Sequence, residues 1–318
     1  MTEKTLLLNI SDPLMVYGPK DENVYIIQRH FAKLKIHFRG DMVKVSGEQS
    51  EIIRFEQKLE QLLQHLNRYN RLGSDDVNKI LSNEIDSSVD EAKEKDILLY
   101  STYGKPIKAR SRNQQALVDA SFENDMMFAI GPAGTGKTYT AIALAVKALK
   151  EAQVKRIILS RPAVEAGENL GFLPGDLREK LDPYLQPLYD ALMDMIPARK
   201  LEQMIEDKVI QIAPLGFMRG RTLNNAFVIL DEAQNATYNQ MKMFLTRMGE
   251  FSKFIITGDV TQIDLPDKKS SGLLKAENIL NNIQGIQFIY FDSSDVIRHK
   301  LVSQIINAYQ QEDNNNKQ

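Results

Sequence analysis

The stretch FAIGPAGTGKT, Phe128 to Thr138, decides the fold of this chain. An apolar run, a glycine-rich turn and the start of a helix follow one another there in the order that a phosphate-binding loop requires. Gly131, Gly134 and Gly136 let the backbone turn tightly with its amides toward an anion, and the helix that follows offers its positive N-terminus to the same charge. The segment Gly131, Pro132, Ala133, Gly134, Thr135, Gly136, Lys137 and Thr138 is therefore expected to cradle a nucleoside triphosphate, ATP. Lys137 is placed to neutralise the β and γ phosphates. Thr138 is placed to ligate Mg2+ through its hydroxyl, because magnesium takes hard oxygen ligands.

A magnesium ion held in this way also needs a carboxylate from the sheet side. The run VILDEAQN, Val228 to Asn235, supplies one in Asp231, which ends an apolar strand. Glu232 follows it and can reach a water in line with the γ-phosphate, as its general base. A further run, TGDVTQIDLP from Thr257, brings Gly258, Asp259 and Gln262 to a neighbouring strand end, where ligands bind in open α/β sheets. Gln262 is expected to bond the γ-phosphate and the attacking water, and so to sense hydrolysis. In the other reading of this run, Asp259 only caps the turn. Gln114 and Gln115 lie shortly before the first core strand, and Gln115 is taken as the amide that reads the adenine edge with its paired donor and acceptor.

Short β-rich runs alternate with helical ones from Met126 onward: MMFAI, KRIILS from Lys155, VIQIA from Val209, AFVILD from Ala226, KFIITG from Lys253 and IQFIYF from Ile286. That alternation predicts an α/β fold, a doubly wound and mostly parallel sheet with helices on both faces. Lys137 to Lys150 is expected to be helical. Thr237 and Gln240 have capping-box spacing ahead of MKMFLTRM, which Gly249 is expected to close.

A small α+β domain is expected over residues 1–68. Leu34 to Arg39 and Met42 to Ser46 read as strands joined through Gly40 and Asp41, with a further strand near Leu6 to Ile10 and a helix near Glu22 to Ala32. Ser46 and Gln49 have capping-box spacing before a helix whose stripe is Ile52, Phe55, Leu59, Leu62, Leu63 and Leu66. Residues 69–104 read as a connector, because Gly73 to Asp96 holds eight Asp or Glu against three Lys. The main domain is set at 105–309 and a polar tail at 310–318.

Composition narrows the function classes. With 318 residues, a hydrophobic fraction of 43% and no apolar run near the ~20 residues that span a bilayer, neither a membrane protein nor a membrane partner is expected. The opening MTEKTLLLNI lacks a secretory pattern, and the absence of cysteine excludes disulfides, so a cytoplasmic location is the expectation. A formal charge of -2 gives no global attraction to nucleic acid, so any such site must be local. His30, His37, His65 and His299 are scattered without ligand spacing, and no metal beyond magnesium is expected.

RPAVEAGENLGFLPGDLREKLDPY from Arg161, MRGRTLNNAFVILDEAQN from Met218, MKMFLTRMG from Met241 and TGDVTQIDLP from Thr257 together resemble the bacterial PhoH-like ATPases, over about Lys105 to Tyr309. That family is similar to the motor core of superfamily 1 helicases. The resemblance implies a RecA-like domain, ATP bound at Gly131 to Thr138, chemistry at Asp231 and Glu232, and a link to RNA metabolism. The N-terminal domain resembles a KH-like module, but where KH domains carry a GXXG loop this chain has Gly18-Pro19-Lys20-Asp21, whose aspartate repels phosphate. RNA binding and a structural or partner-binding role both stay open for it.

An arginine is still needed for the charge on a transferring γ-phosphoryl group. Arg298 is the first choice, with Arg219, Arg221 and Arg161 as alternatives for phosphate or RNA contact. Because one core lacks the second domain that donates arginines in such helicases, a homo-oligomeric, hexameric ring with shared sites is expected. The leading reading is an ATPase that remodels or unwinds RNA. The alternatives are a nucleotide-switched RNA-binding adaptor that recruits a ribonuclease, and a phosphotransferase, against which the DEAQ carboxylate pair argues.

Overall fold

The computed structural model describes residues 2–8, 10, 12–83, 96–162 and 177–296, with the backbone alone over 177–183. The chain divides into two units, one of Met1–Lys108 with Tyr189–Ile210, the other of Ala109–Leu188 with Gln211–Gln318. The expected tail, 310–318, lies outside the described residues.

In the first unit β1 (Thr2–Leu7), α1 (Leu14–Tyr17), α2 (Glu22–His30), β2 (Lys35–Arg39), β3 (Met42–Gly47) and α3 (Gln49–Tyr69) follow in order. The strands form an antiparallel sheet in the order β1-β3-β2. Alternate residues of the hairpin, Ile36, Val43 and Val45, point inward, and Ile52, Phe55, Leu59, Leu62 and Leu66 of α3 close the core over them. Each such side chain contributes about 2 kcal/mol over its exposed state.

Two local expectations change. The first strand runs Thr2–Leu7 rather than Leu6 to Ile10, because pairing Thr2 with Gly47 through Leu7 with Met42 uses the whole length of β3. The Ser46–Gln49 capping box does not form. Ser46 is held in the ladder opposite Glu3 and Lys35, so α3 starts at Gln49 with Glu48 as an N-cap that makes no side-chain bond.

Part of the acidic stretch read as a connector is structured. α4 (Ser74–Ser82) begins where Asp76 Oδ2 accepts the Gly73 amide at 3.0 Å, and its Val77, Ile80 and Leu81 enter the same core. β4 (Ile97–Tyr100) and β5 (Pro106–Lys108) pair beyond it. Residues 84–95 lie outside the described part.

The second unit contains α5 (Arg112–Glu123), β6 (Met126–Ile130), α6 (Lys137–Lys150), β7 (Arg156–Arg161) and the start of α7 (Leu177–Met195). After α8 (Ala198–Glu206), which belongs to the first unit, come β8 (Ile210–Pro214), β9 (Ala226–Leu230), α9 (Tyr238–Leu245), β10 (Lys253–Gly258), α10 (Gly272–Leu280) and β11 (Ile286–Tyr290). All six expected β-rich runs enter one sheet, in the order β11-β6-β10-β9-β7-β8. The pairs β11·β6, β6·β10, β10·β9 and β9·β7 are parallel.

β6 and β9 are buried along their whole length, as expected where helices cover both faces of a sheet. Phe128 stacks on Phe288 at 4.4 Å between ring centres within one core, and Ala141 to Val146 of α6 are buried. The Thr237–Gln240 capping box forms, but Gly249 does not close α9, which ends at Leu245. Gly249 instead packs tightly against Asn224. Among the described residues no helix is long and apolar enough to cross a membrane.

Candidate active site

Parallel register brings four strand ends level. Gly258 pairs with Ile130 and Ser160 with Leu230, so the residues that follow or end these strands, Gly131, Asp231, Asp259 and Arg161, collect at one edge of the sheet. The Gly131 amide donates to the Gly258 carbonyl at 3.0 Å, and the Asp231 amide to the Ser160 carbonyl at 2.8 Å.

The loop between β6 and α6 is held by glycine and by one buried amide. Gly136 has φ of 78°, and a Cβ there would stand 2.6 Å from Gln114 Nε2. Gln114, almost fully buried, donates to the Thr135 carbonyl at 2.8 Å and accepts the Arg110 amide at 2.8 Å. Both ends of this amide are thus committed to protein backbone. Gln115, the expected adenine reader, is part-exposed on α5 and donates to Asp119 at 2.8 Å.

Lys137 turns its ammonium onto the Gly131 and Pro132 carbonyls at 2.7 and 2.8 Å. Burial lowers its pKa, while Asp259, Glu232 and Asp231 act in the opposite direction. Lys137 thus stands beside three carboxylates, held on its own loop where its charge can meet a phosphate.

Asp231 accepts four hydrogen bonds. Its Oδ1 accepts the hydroxyls of Thr138 and Thr257, each at 2.6 Å, and its Oδ2 accepts Arg161 Nε at 2.7 Å and Arg161 Nη2. A hydroxyl and a carboxylate in contact at the start of the loop helix are the hard oxygen donors that suit magnesium, so the residues present fit that ion.

Glu232 follows with φ of 54°, a left-handed conformation rare outside glycine, and its side chain is half exposed beside the loop. Gln234 holds it, donating to Glu232 Oε2 at 2.6 Å. The same nitrogen lies 3.3 Å from the Gln262 carbonyl, while Gln234 Oε1 accepts the Asp259 amide at 3.0 Å. Gln262 donates its own amide to Asp259 Oδ2, and that oxygen also accepts the Ala133 amide of the loop at 3.1 Å. Asp259 therefore does more than cap its turn: it bridges β10 to the loop. Sequence reasoning gave Gln234 no role. The signal was its position two residues after Glu232, which becomes meaningful only once Ala233 and Gln234 turn back beneath the strand ends.

The arginines separate. Arg161, an alternative in the sequence, is the one the structure brings to the carboxylates. Arg221 precedes β9 at the opposite edge, where Nη2 donates to Gln211 at 2.6 Å, and burial with the charge of Arg156 lowers its pKa. Arg219 is exposed nearby. Arg298 lies outside the described residues.

Comparison with known proteins identifies the family. A family model described as PhoH-like protein matches residues 106–310. The PhoH-like protein of Bacillus subtilis is 46% identical over 318 residues, 97% of this chain and 99% of that protein. That of Mycobacterium bovis is 48% identical over 92% of this chain and 83% of its own length. Protein PhoH of Escherichia coli is 43% identical over 64% of this chain and 58% of its own length. Among solved structures, the UvsW helicase from bacteriophage T4 aligns with a TM-score of 0.40 and 12% identity, over 81% of this chain and 100% of that one. With its phosphate-binding loop inside the matched span and a relative similar over nearly its whole length, the chain belongs to the PhoH-like family of P-loop NTPases.

Proposed function

We propose that this chain is a magnesium-dependent ATPase that couples hydrolysis to RNA remodelling. The observation that carries the catalytic half is the Thr138–Asp231 contact of 2.6 Å beside the loop, with Glu232 next in the chain. In this reading Lys137 leaves its own loop carbonyls for the β and γ phosphates. Glu232 takes a proton from water as the water oxygen bonds to the γ-phosphorus, and the bond to the β-γ bridging oxygen breaks to release ADP. Thr138 and Asp231 would hold magnesium, which when bound would supply positive charge to the phosphate oxygens. Gln234 fixes Glu232, and Gln262 stands at the same edge through Asp259. The RNA half rests on the family resemblance to helicase motor cores.

Steady-state ATPase with and without single-stranded RNA tests both halves. Turnover stimulated by RNA and abolished in Lys137→Ala is expected. Glu232→Gln is expected to bind ATP normally but to turn over about 10²- to 10⁴-fold more slowly, because a general base acts chiefly in the transition state. Turnover indifferent to RNA removes the remodelling half and favours the adaptor that recruits a ribonuclease.

A further inference from the structure

Asp231 is 3% exposed and Arg161 16%, so their ion pair is largely withdrawn from water. A buried carboxylate needs a counter-charge. The hydroxyls of Thr138 and Thr257 on Oδ1 are neutral, and Lys137 is bonded to its own loop, so among the described residues the cation in contact with Asp231 is Arg161. Its grip is two-pronged, Nε and Nη2 on the single oxygen Oδ2. The third nitrogen, Nη1, donates to the Tyr184 carbonyl of α7 at 2.7 Å, which fixes the plane of the guanidinium. Glu232 lies 3.9 Å from Nη2.

We propose that Arg161 is a resident cation on Asp231 that opposes a divalent ion on the same carboxylate, so that this arginine, and not only the ligands, sets the metal affinity of the site. The inference rests on the metal-site reading above. Thr138 marks Oδ1 as the metal-side oxygen while Arg161 fills the lone-pair directions of Oδ2, and two cations on one carboxylate repel, so metal binding and the Arg161 pair oppose each other. Its bond to Tyr184 holds Arg161 at the edge where Asp231 and Glu232 lie. It is a positioning residue, acting on the metal through Asp231.

The test is Mn2+ binding to the full chain with ADP, read from the loss of the free-Mn2+ EPR signal beyond that of a matched Mn2+ and ADP blank without protein, and requiring no turnover. Arg161→Met is expected to bind Mn2+ roughly tenfold more tightly than wild type, the scale of a charge-assisted hydrogen bond. Arg161→Lys, with one point of contact instead of two, is expected to fall between and guards against misfolding of the methionine variant. Asp231→Asn is the control for the metal site itself. If Asp231→Asn abolishes binding but both Arg161 variants bind Mn2+ no more tightly than wild type, Arg161 is no competitor and the proposal fails while the metal site stands. If Asp231→Asn binds Mn2+ as wild type does, the metal-site reading fails first.

Discussion

Gln234 shows how one buried side chain decides what a neighbour can do. Glu232 is half exposed in a left-handed backbone conformation, and its bond to Gln234 holds its carboxylate toward the loop. Gln234 is 1% exposed and also receives the Asp259 amide, so truncating it leaves buried polar groups without partners, at about 1–3 kcal/mol. Gln234→Ala is expected to lower kcat by at least roughly tenfold while ATP affinity stays within a few-fold, because a misaimed general base costs the transition state alone. ATP binding by fluorescent-analogue titration, beside steady-state kcat, checks the split. A matching loss in both would assign Gln234 to folding of the site rather than to aiming Glu232.

At the scale of elements, the turn after β10 is the joint between sheet and loop. Asp259 accepts Thr261 at its amide (2.9 Å) and hydroxyl (2.7 Å), and Ala133 of the loop at 3.1 Å. Burial alone pushes this carboxyl up, but the bonds from Thr261 and Gln262 and the charge of Lys137 overcome it, and the pKa falls below the ordinary value. A carboxyl lower in the folded than in the unfolded chain adds stability that is fully present above its unfolded pKa of about 4. That stability is lost as pH falls through the folded value. Urea unfolding over a pH series is therefore expected to show wild type losing stability below about pH 4 more steeply than Asp259→Asn. At neutral pH the variant is expected to be less stable by about 1–3 kcal/mol. Parallel slopes would mean that other groups carry the acid transition.

At the scale of the whole molecule, the division of the chain is not the one that sequence composition draws. The first unit takes back Tyr189–Ile210 from the middle of the sequence. Within it the Met195 carbonyl accepts Asn70 at 3.3 Å, and the Asp194 carbonyl accepts the Thr102 amide at 2.7 Å. A fragment starting at Ala109 keeps all six strands of the large sheet and is expected to bind ATP, but residues 189–210 lose these partners. Limited proteolysis is expected to cut the fragment there and to spare the same segment in the full chain. Equal resistance in both would show that the segment needs nothing from residues 1–108. The proposed ring belongs to this scale too. Arg298→Ala and Glu232→Gln subunits, each inactive alone, are expected to recover ATPase on mixing if one subunit's arginine serves its neighbour's site, whereas a fully active monomer by light scattering removes the ring.

The glycine-rich turn ahead of α6, the six strands and the position of Asp231 and Glu232 at a strand end were legible because each is a local pattern. A glycine where only φ above zero is allowed, or an apolar run of strand length before a turn, reports its own backbone without knowledge of distant residues. The first-unit helix stripe was legible for the same reason, since Ile52 to Leu66 recur at helical period. Tertiary structure alone decided which polar groups meet. Arg161 and Asp231 are 70 residues apart, and only the parallel register of β7 on β9 sets the guanidinium beside that carboxylate. Gln114 reaches Thr135, and Gln234 reaches Asp259 and Gln262, through contacts that no periodicity encodes. Where packing fixes the neighbours of a polar side chain, the same residue type serves as lock, ligand or surface charge, and the sequence carries no mark to tell them apart.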